Sequence, residues 1–376
     1  MARLSSPALT AIVGFLLLMT VAVAQRREKA RICGDARTCR YIKARSMCKF
    51  RYISTVLCRA NHARKVANNE ELENLIFSPA SISIAVGMAL AGAKGETRQE
   101  IIDAIADGVD DDQLNSAFHW LFNEINSAGK KYKLHTANAV YIDDDLDLAT
   151  DYANAVRNCF KSEANLVDFD GNSKAIAARI NQWVEKKTNR KIRKLIQRLS
   201  PSTRMVLVNA IYFKDQWLRK FNEGGGQTFD GLFYSHGKTE KKTKLMAQEN
   251  IFNYTKDTTL KVEVLSMPYE DDEVSMYIFL PLKRDGLKGL EDRLTSEAVE
   301  KLISKMRRRT VDVTIPKFKI EESFPLKRVL QSIGVKEAFE TSADFGGMTS
   351  KEKIFIGDAL HKAMIEVRVE IGRHYV

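Results

Sequence analysis

Histidine is the most versatile of the chemical side chains, and this sequence has six: His62, His119, His135, His236, His361 and His374. No two stand at H-x-x-x-H or a comparable spacing, so none forms the helical pair that grips zinc. There is no G-x-S-x-G elbow, no P-loop and no dinucleotide-binding glycine pattern. Asp143-Asp144-Asp145 is the kind of carboxylate run that solvates a turn, not an acid/base pair. Gly224-Gly225-Gly226 lacks the strand-to-helix setting of a phosphate cradle. No catalytic residue, metal or cofactor is expected, and the chain reads as something other than an enzyme.

One polar residue stands out for its surroundings. Met205–Phe213 (MVLVNAIYF) is an apolar run of strand length with Asn209 at its centre. A buried amide is costly unless hydrogen-bonded, so Asn209 should sit in a polar cluster inside the core. Trp217 follows closely, in KDQW.

The elements that must hold these residues are organised around Ser78–Ala93 (SPASISIAVGMALAGA), apolar on every face and too short and rich in Ser and Gly to span a membrane. Ser78-Pro79 starts that helix well. Thr97 and Glu100 are spaced as a capping box for the helix after it. Further helices are expected over Leu114–Ile125 and Ile176–Val184, and one capped by Ser323 with Leu326, Val329, Leu330 and Ile333 on one face. Strands are expected at 135–142, 205–213, 260–264, 274–280, 311–315, 354–356 and 363–367.

Charge divides the chain. The formal net charge is +11, and residues 26–65 hold thirteen lysines and arginines against Glu28 and Asp35. The basic character belongs to an N-terminal arm. Four of the five cysteines, Cys33, Cys39, Cys48 and Cys58, fall there, and two disulfides with three possible pairings are expected in an oxidising compartment. The arm is either a small cationic module for heparin-like polyanions or a solvated segment with few apolar residues, the second being favoured. Lys130-Lys131-Tyr132-Lys133 reads as a solvated helix end. Cys159 is expected to be a small core hydrophobe. Met1–Gln25 has the form of a secretory signal, with Arg3, an apolar run and Ala22-Val23-Ala24 before Gln25. Secretion to the extracellular space, no membrane contact after signal cleavage and no nucleic-acid partner are therefore expected. Asn253-Tyr254-Thr255 is the N-glycosylation sequon.

The motifs NLIFSPASISIAVGMALAGAKGETRQEI, VLVNAIYFKDQW, VLSMPYEDDEVSMYIFLP, VDVTIPKFKIEESFPLKRVLQSIGVKEAF, ADFGGMT and HKAMIEV run from Asn74 to Val367. In content and order they resemble the serpin family. The resemblance implies one α/β domain of the α+β type, with three β-sheets and about nine helices. The implied divisions are a signal peptide at 1–24, the basic extension at 25–73, the serpin-like domain at 74–367 and a divergent tail at 368–376. It implies inhibition of serine proteases, and sometimes cysteine proteases, by a spring. The protease cleaves an exposed reactive-centre loop, forms an acyl-enzyme, and is carried off as the loop inserts into the large sheet. By resemblance Ser78, Ser81, Asn209 and His361 match the shutter where that sheet opens, and Trp217 the breach where insertion begins. A plainer reading makes the same five a satisfied core cluster and a core aromatic.

Two departures shape the functional expectation. The family's N-terminal helix gives way to the basic arm. After HKAMIEV the sequence reads RVEIGRHYV where a serpin continues into an acidic, Gly-Thr-Glu-Ala-rich hinge, the reactive loop and the closing strands. The expectation is a truncated isoform or gene-model product, with no reactive site and no inhibitory capacity as written. Alternatives are a non-inhibitory binder of polyanions or partners through the arm, or an acceptor of another serpin's loop.

Overall fold

In the computed structural model the described residues are 2–3, 76–105, 133–200, 202–221, 227–235, 239–270, 272 and 274–367. The four arm cysteines, the Leu114–Ile125 helix, Lys130–Tyr132, Gly224–Gly226 and Arg368–Val376 lie outside them, as does the proposed leader except Ala2 and Arg3.

Helix α1 (Pro79–Gly92) lies at the centre. Ser78 caps it by accepting the Ser81 amide at 3.2 Å, and Ser81, Ile84, Met88 and Leu90 are among its buried residues. Each large apolar side chain so buried stabilises the fold by about 1.5–3 kcal/mol. Its end is pressed against the 343–349 loop. The Gly347 amide donates to the Gly92 carbonyl at 3.0 Å, and a Cβ on Gly347 would lie 2.8 Å from that oxygen.

The remaining α-helices among the described residues are α2 (Gly95–Ile105), α3 (Thr150–Asn158), α4 (Phe169–Lys187), α5 (Leu287–Glu291), α6 (Ser296–Ser304) and α7 (Leu326–Ser332). The strands are β1 (Ala2–Arg3), β2 (Lys133–Asp143), β3 (Glu163–Val167), β4 (Met205–Lys214), β5 (Gln227–Ser235), β6 (Thr239–Asp257), β7 (Val262–Pro268), β8 (Ser275–Pro281), β9 (Arg307–Pro316), β10 (Phe318–Pro325) and β11 (Asp358–Val367). One sheet runs β10-β11-β4-β2-β3, and the other β1-β9-β6-β7-β8 with β5 on β6. The 19-residue β6 joins both arms of the second sheet into one surface.

The five-stranded sheet is covered on both faces. Met205 and Leu207 point to the cluster around α1, whereas Val206, Val208 and Tyr212 join Ile180, Val184 and Ile192 of α4 and its following segment. This two-faced burial explains the nearly unbroken apolar run of β4, since strict alternation marks a sheet with one wet face.

Five local expectations are corrected. Thr97 and Glu100 do not form a capping box. α2 begins at Gly95, Thr97 Oγ1 accepts the Asp344 amide at 2.8 Å, and Glu100 accepts the Lys336 and Glu337 amides, each at 2.7 Å. Ser323 caps nothing, because it lies within β10, paired with Lys362. Ile354–Ile356 are not a strand. Ile354 and Ile356 are buried, but the Ile356 amide donates to Ala338 rather than to a ladder. Leu260 belongs to a turn made by Asp257, whose carboxylate accepts the Thr259 and Leu260 amides, so β7 begins at Val262. Cys159 is an exposed thiol at the end of α3 and takes no part in the core.

Candidate functional site at the centre of the five-stranded sheet

The centre of the sheet is a seam between strands far apart in the chain. β4 and β11 run parallel with nine partnered residues, from Asp358↔Val206 to Glu366↔Lys214. Their outer neighbours, β2 and β10, are both antiparallel to them. No crossover unit of the usual kind links β4 to β11, since the other sheet and three helices intervene in sequence.

Asn138, Asn209 and His361 are register partners on β2, β4 and β11, so they form one polar row across the seam. The row faces α1. The Ser78 amide donates to His361 Nε2 at 3.2 Å, which makes that nitrogen an acceptor and puts the imidazole proton on Nδ1. Nδ1 then donates to Asn209 Oδ1, which fixes the amide with its Nδ2 toward Ser81 and Asn138. Nδ2 also lies 2.9 Å from the Ser81 carbonyl. Every link has a defined direction and joins α1 to both sides of the seam. Complete burial of His361 drives its pKa down to about 3, so the ring is neutral in the native fold.

Trp217 lies three residues beyond β4 and pairs with Tyr269 in an isolated antiparallel bridge. The two rings stack at 4.5 Å and 10°, and Phe221 and Phe213 meet them edge-on at 6.5 and 5.0 Å. Backbone bonds from Leu218 to Pro268 and from Glu270 to Gln216 tie this end of the seam to β7 of the second sheet. Burial first, and then the charge of Asp215, push the Tyr269 phenol upward.

At the other end, Arg204 holds Asp143 at 3.0 Å, Asp145 at 3.2 Å and Glu352 at 3.2 Å, just before β4 begins. Burial raises the Asp143 pKa despite the Arg204 hydrogen bond. The structure therefore brings Ser78, Ser81, Asn209 and His361 together and places Trp217 apart, at one end of the same seam. Asn253 is exposed on β6. Sequence reasoning missed Asn138, although it interrupts the strand HTANAVYI as Asn209 interrupts its own, and it missed Tyr269, which sits in the MPY turn.

A central helix beneath a sheet with a long parallel seam, locked by a polar row and closed by an aromatic stack, defines an α+β body of one recognisable kind. Residues 60–372 match the family model described as "Serpin (serine protease inhibitor)", and the chain belongs to the serpin family. It is 37% identical over 304 residues to "Intracellular coagulation inhibitor 2" of Tachypleus tridentatus, covering 80% of this chain and 74% of that protein. It is 34% identical over 316 residues to "Serpin B3" of Homo sapiens, covering 79% and 80%. The solved structure of uncleaved ovalbumin superposes with a TM-score of 0.78 at 26% identity, covering 85% of this chain and 90% of that one.

Proposed function

We propose that the chain belongs to a secreted lineage of serine-endopeptidase inhibitors and that the β4–β11 seam is where an inserted strand enters. The observation that carries this reading is the seam itself, a parallel junction locked by side chains rather than by a covalent or crossover link. In this reading Ser78, Ser81, Asn209 and His361 latch the seam, and Trp217 with Tyr269 holds the end where insertion starts. Secretion is supported by the leader-like Met1–Gln25, and glycosylation by the exposure of Asn253 on β6.

The finer part of the proposal concerns the 376 residues taken by themselves. By resemblance Arg368–Val376 (RVEIGRHYV) stand where the family has its acidic, Gly-Thr-Glu-Ala-rich hinge, and their bulky and basic side chains do not match it, so the polypeptide is read as non-inhibitory. Incubation of that polypeptide with trypsin-like and chymotrypsin-like proteases is expected to yield cleavage products and no SDS-stable adduct. A covalent complex with any of them would overturn the non-inhibitory reading.

A further inference from the structure

The seam is held at its centre by the polar row and at one end by the aromatic stack. Its other end is held by charge, and the charges there are divided unequally between the two sides. Arg204, the residue before β4, is tied to the β2 side. The Asp143 amide donates to the Arg204 carbonyl at 3.0 Å, and the Asp144 amide joins the same turn to the Val167 carbonyl of β3 at 3.1 Å. Two of the three carboxylates around the guanidinium, Asp143 and Asp145, stand on that side. The third, Glu352, comes from the segment that leads into β11. Lys351 beside it crosses in the opposite sense, its Nζ donating to the Asp145 carbonyl. Two adjacent residues of opposite charge thus reach over the seam. They do so just ahead of its first backbone rung, the Gly357 amide on the Met205 carbonyl at 2.9 Å.

Exposure separates the contacts that must persist from those that can be given up. The Asp143 side chain is 6% exposed, so parting it from Arg204 would leave a poorly hydrated carboxylate. The Glu352 side chain is 42% exposed and Lys351 is exposed as well, so water replaces their partners on release. When the two sides part, Arg204 keeps Asp143 and Asp145 and loses only the partner that is cheapest to lose. The segment that carries Lys351 and Glu352 is itself fixed. Ile354 and Ile356 are buried, the Ile356 amide donates to the Ala338 carbonyl at 2.9 Å, and the Lys351 amide donates to Thr349 Oγ1 at 3.2 Å. Closing these contacts therefore orders side chains and not backbone, and each holds the seam weakly and reversibly.

We propose that Lys351 and Glu352 are positioning residues that clasp this end of the seam and set how readily β4 and β11 part. The consequence for strand entry rests on the reading of the seam given above, whereas the clasp itself is a property of the closed structure.

The test uses the whole chain and amide hydrogen exchange followed residue by residue. The variant K351Q/E352Q removes both crossings, leaves the net charge unchanged and replaces only exposed side chains. At low salt its Gly357 amide is expected to exchange roughly three- to tenfold faster than that of the parent, while the Leu218 and Glu270 amides at the Trp217 end keep their rates. D145N takes a carboxylate from the same guanidinium without touching a crossing side chain, and its Gly357 amide is expected to exchange at the parent rate. The difference between parent and K351Q/E352Q is expected to shrink at about 1 M NaCl. An unchanged Gly357 rate in K351Q/E352Q, equal acceleration at both ends of the seam, an equal effect of D145N, or a difference that salt leaves untouched would overturn the clasp. The same proteins are then incubated with a strand-length peptide of Thr, Ala and Glu, which K351Q/E352Q is expected to take up faster than the parent by a similar factor. Uptake at equal rates would overturn the role of the clasp in strand entry. Uptake by neither protein, with Gly357 still exchanging faster in the variant, would uphold the clasp and overturn the strand-entry reading.

Discussion

Lowering the pH should unlatch the seam through His361. Its imidazole is 1% exposed, and burial holds its pKa at about 3, against about 6.5 in an unfolded chain. Between those values the unfolded state binds a proton that the native state refuses, so the contribution to stability is complete above about pH 6.5 and is lost as the pH falls toward 3. From pH 7 to pH 5 the loss is about 2 kcal/mol, at about 1.36 kcal/mol per pH unit below the unfolded pKa. The structural cause is specific. A proton on Nε2 removes the acceptor for the Ser78 amide and charges a ring enclosed by α1, β4 and β11. Glutamine at this position offers one acceptor and one donor and does not titrate. Urea unfolding of the parent and His361→Gln at both pH values, analysed by linear extrapolation, isolates the effect from the carboxylates that titrate in both proteins. The parent should lose about 2 kcal/mol more than the variant. Equal losses would refute the assignment of a neutral, acceptor Nε2.

Three further substitutions probe the same body. Asn209→Ala strips the acceptor from His361 Nδ1 and the donor from Ser81 and Asn138, and should cost about 2–4 kcal/mol in urea unfolding, since buried partners are left unpaired. Trp217→Ala removes a stacked ring that is 4% exposed and should cost about 3–5 kcal/mol, with Trp217→Phe recovering part of it. Gly347→Ala places a methyl group against the Gly92 carbonyl and should lower the melting temperature by several degrees, for a penalty of about 1–3 kcal/mol, whereas Ala at Gly334 meets no neighbouring atom and pays only for its positive φ.

What could be read from the sequence depended on how local the physics was. Ser78 as a cap and α1 as an all-round buried helix follow from residue types alone, and both are present. Asn209 was legible because an amide inside MVLVNAIYF must find partners, but the identity of those partners was not. His361 lies 152 residues away, and only the resemblance joined the two before the structure did. Asn138 carried the same signal in a shorter apolar context and went unread. Thr97 and Glu100 failed for the opposite reason. Their spacing satisfies a local rule, yet their oxygens serve amides at Asp344, Lys336 and Glu337, so tertiary partners outcompeted the local cap. Cys159 was misjudged because a lone cysteine is usually buried, whereas this one follows the last residue of a short helix into solvent.

The most direct test of the strand-accepting seam is incubation of the 376-residue chain with a synthetic peptide of strand length and small, alternating Thr, Ala and Glu side chains, followed by a thermal melt and native electrophoresis. If β4 and β11 part to admit a strand, the peptide should be taken up one to one and the melting temperature should rise well above that of the free protein. Unchanged mobility and an unchanged melt at saturating peptide would contradict the account.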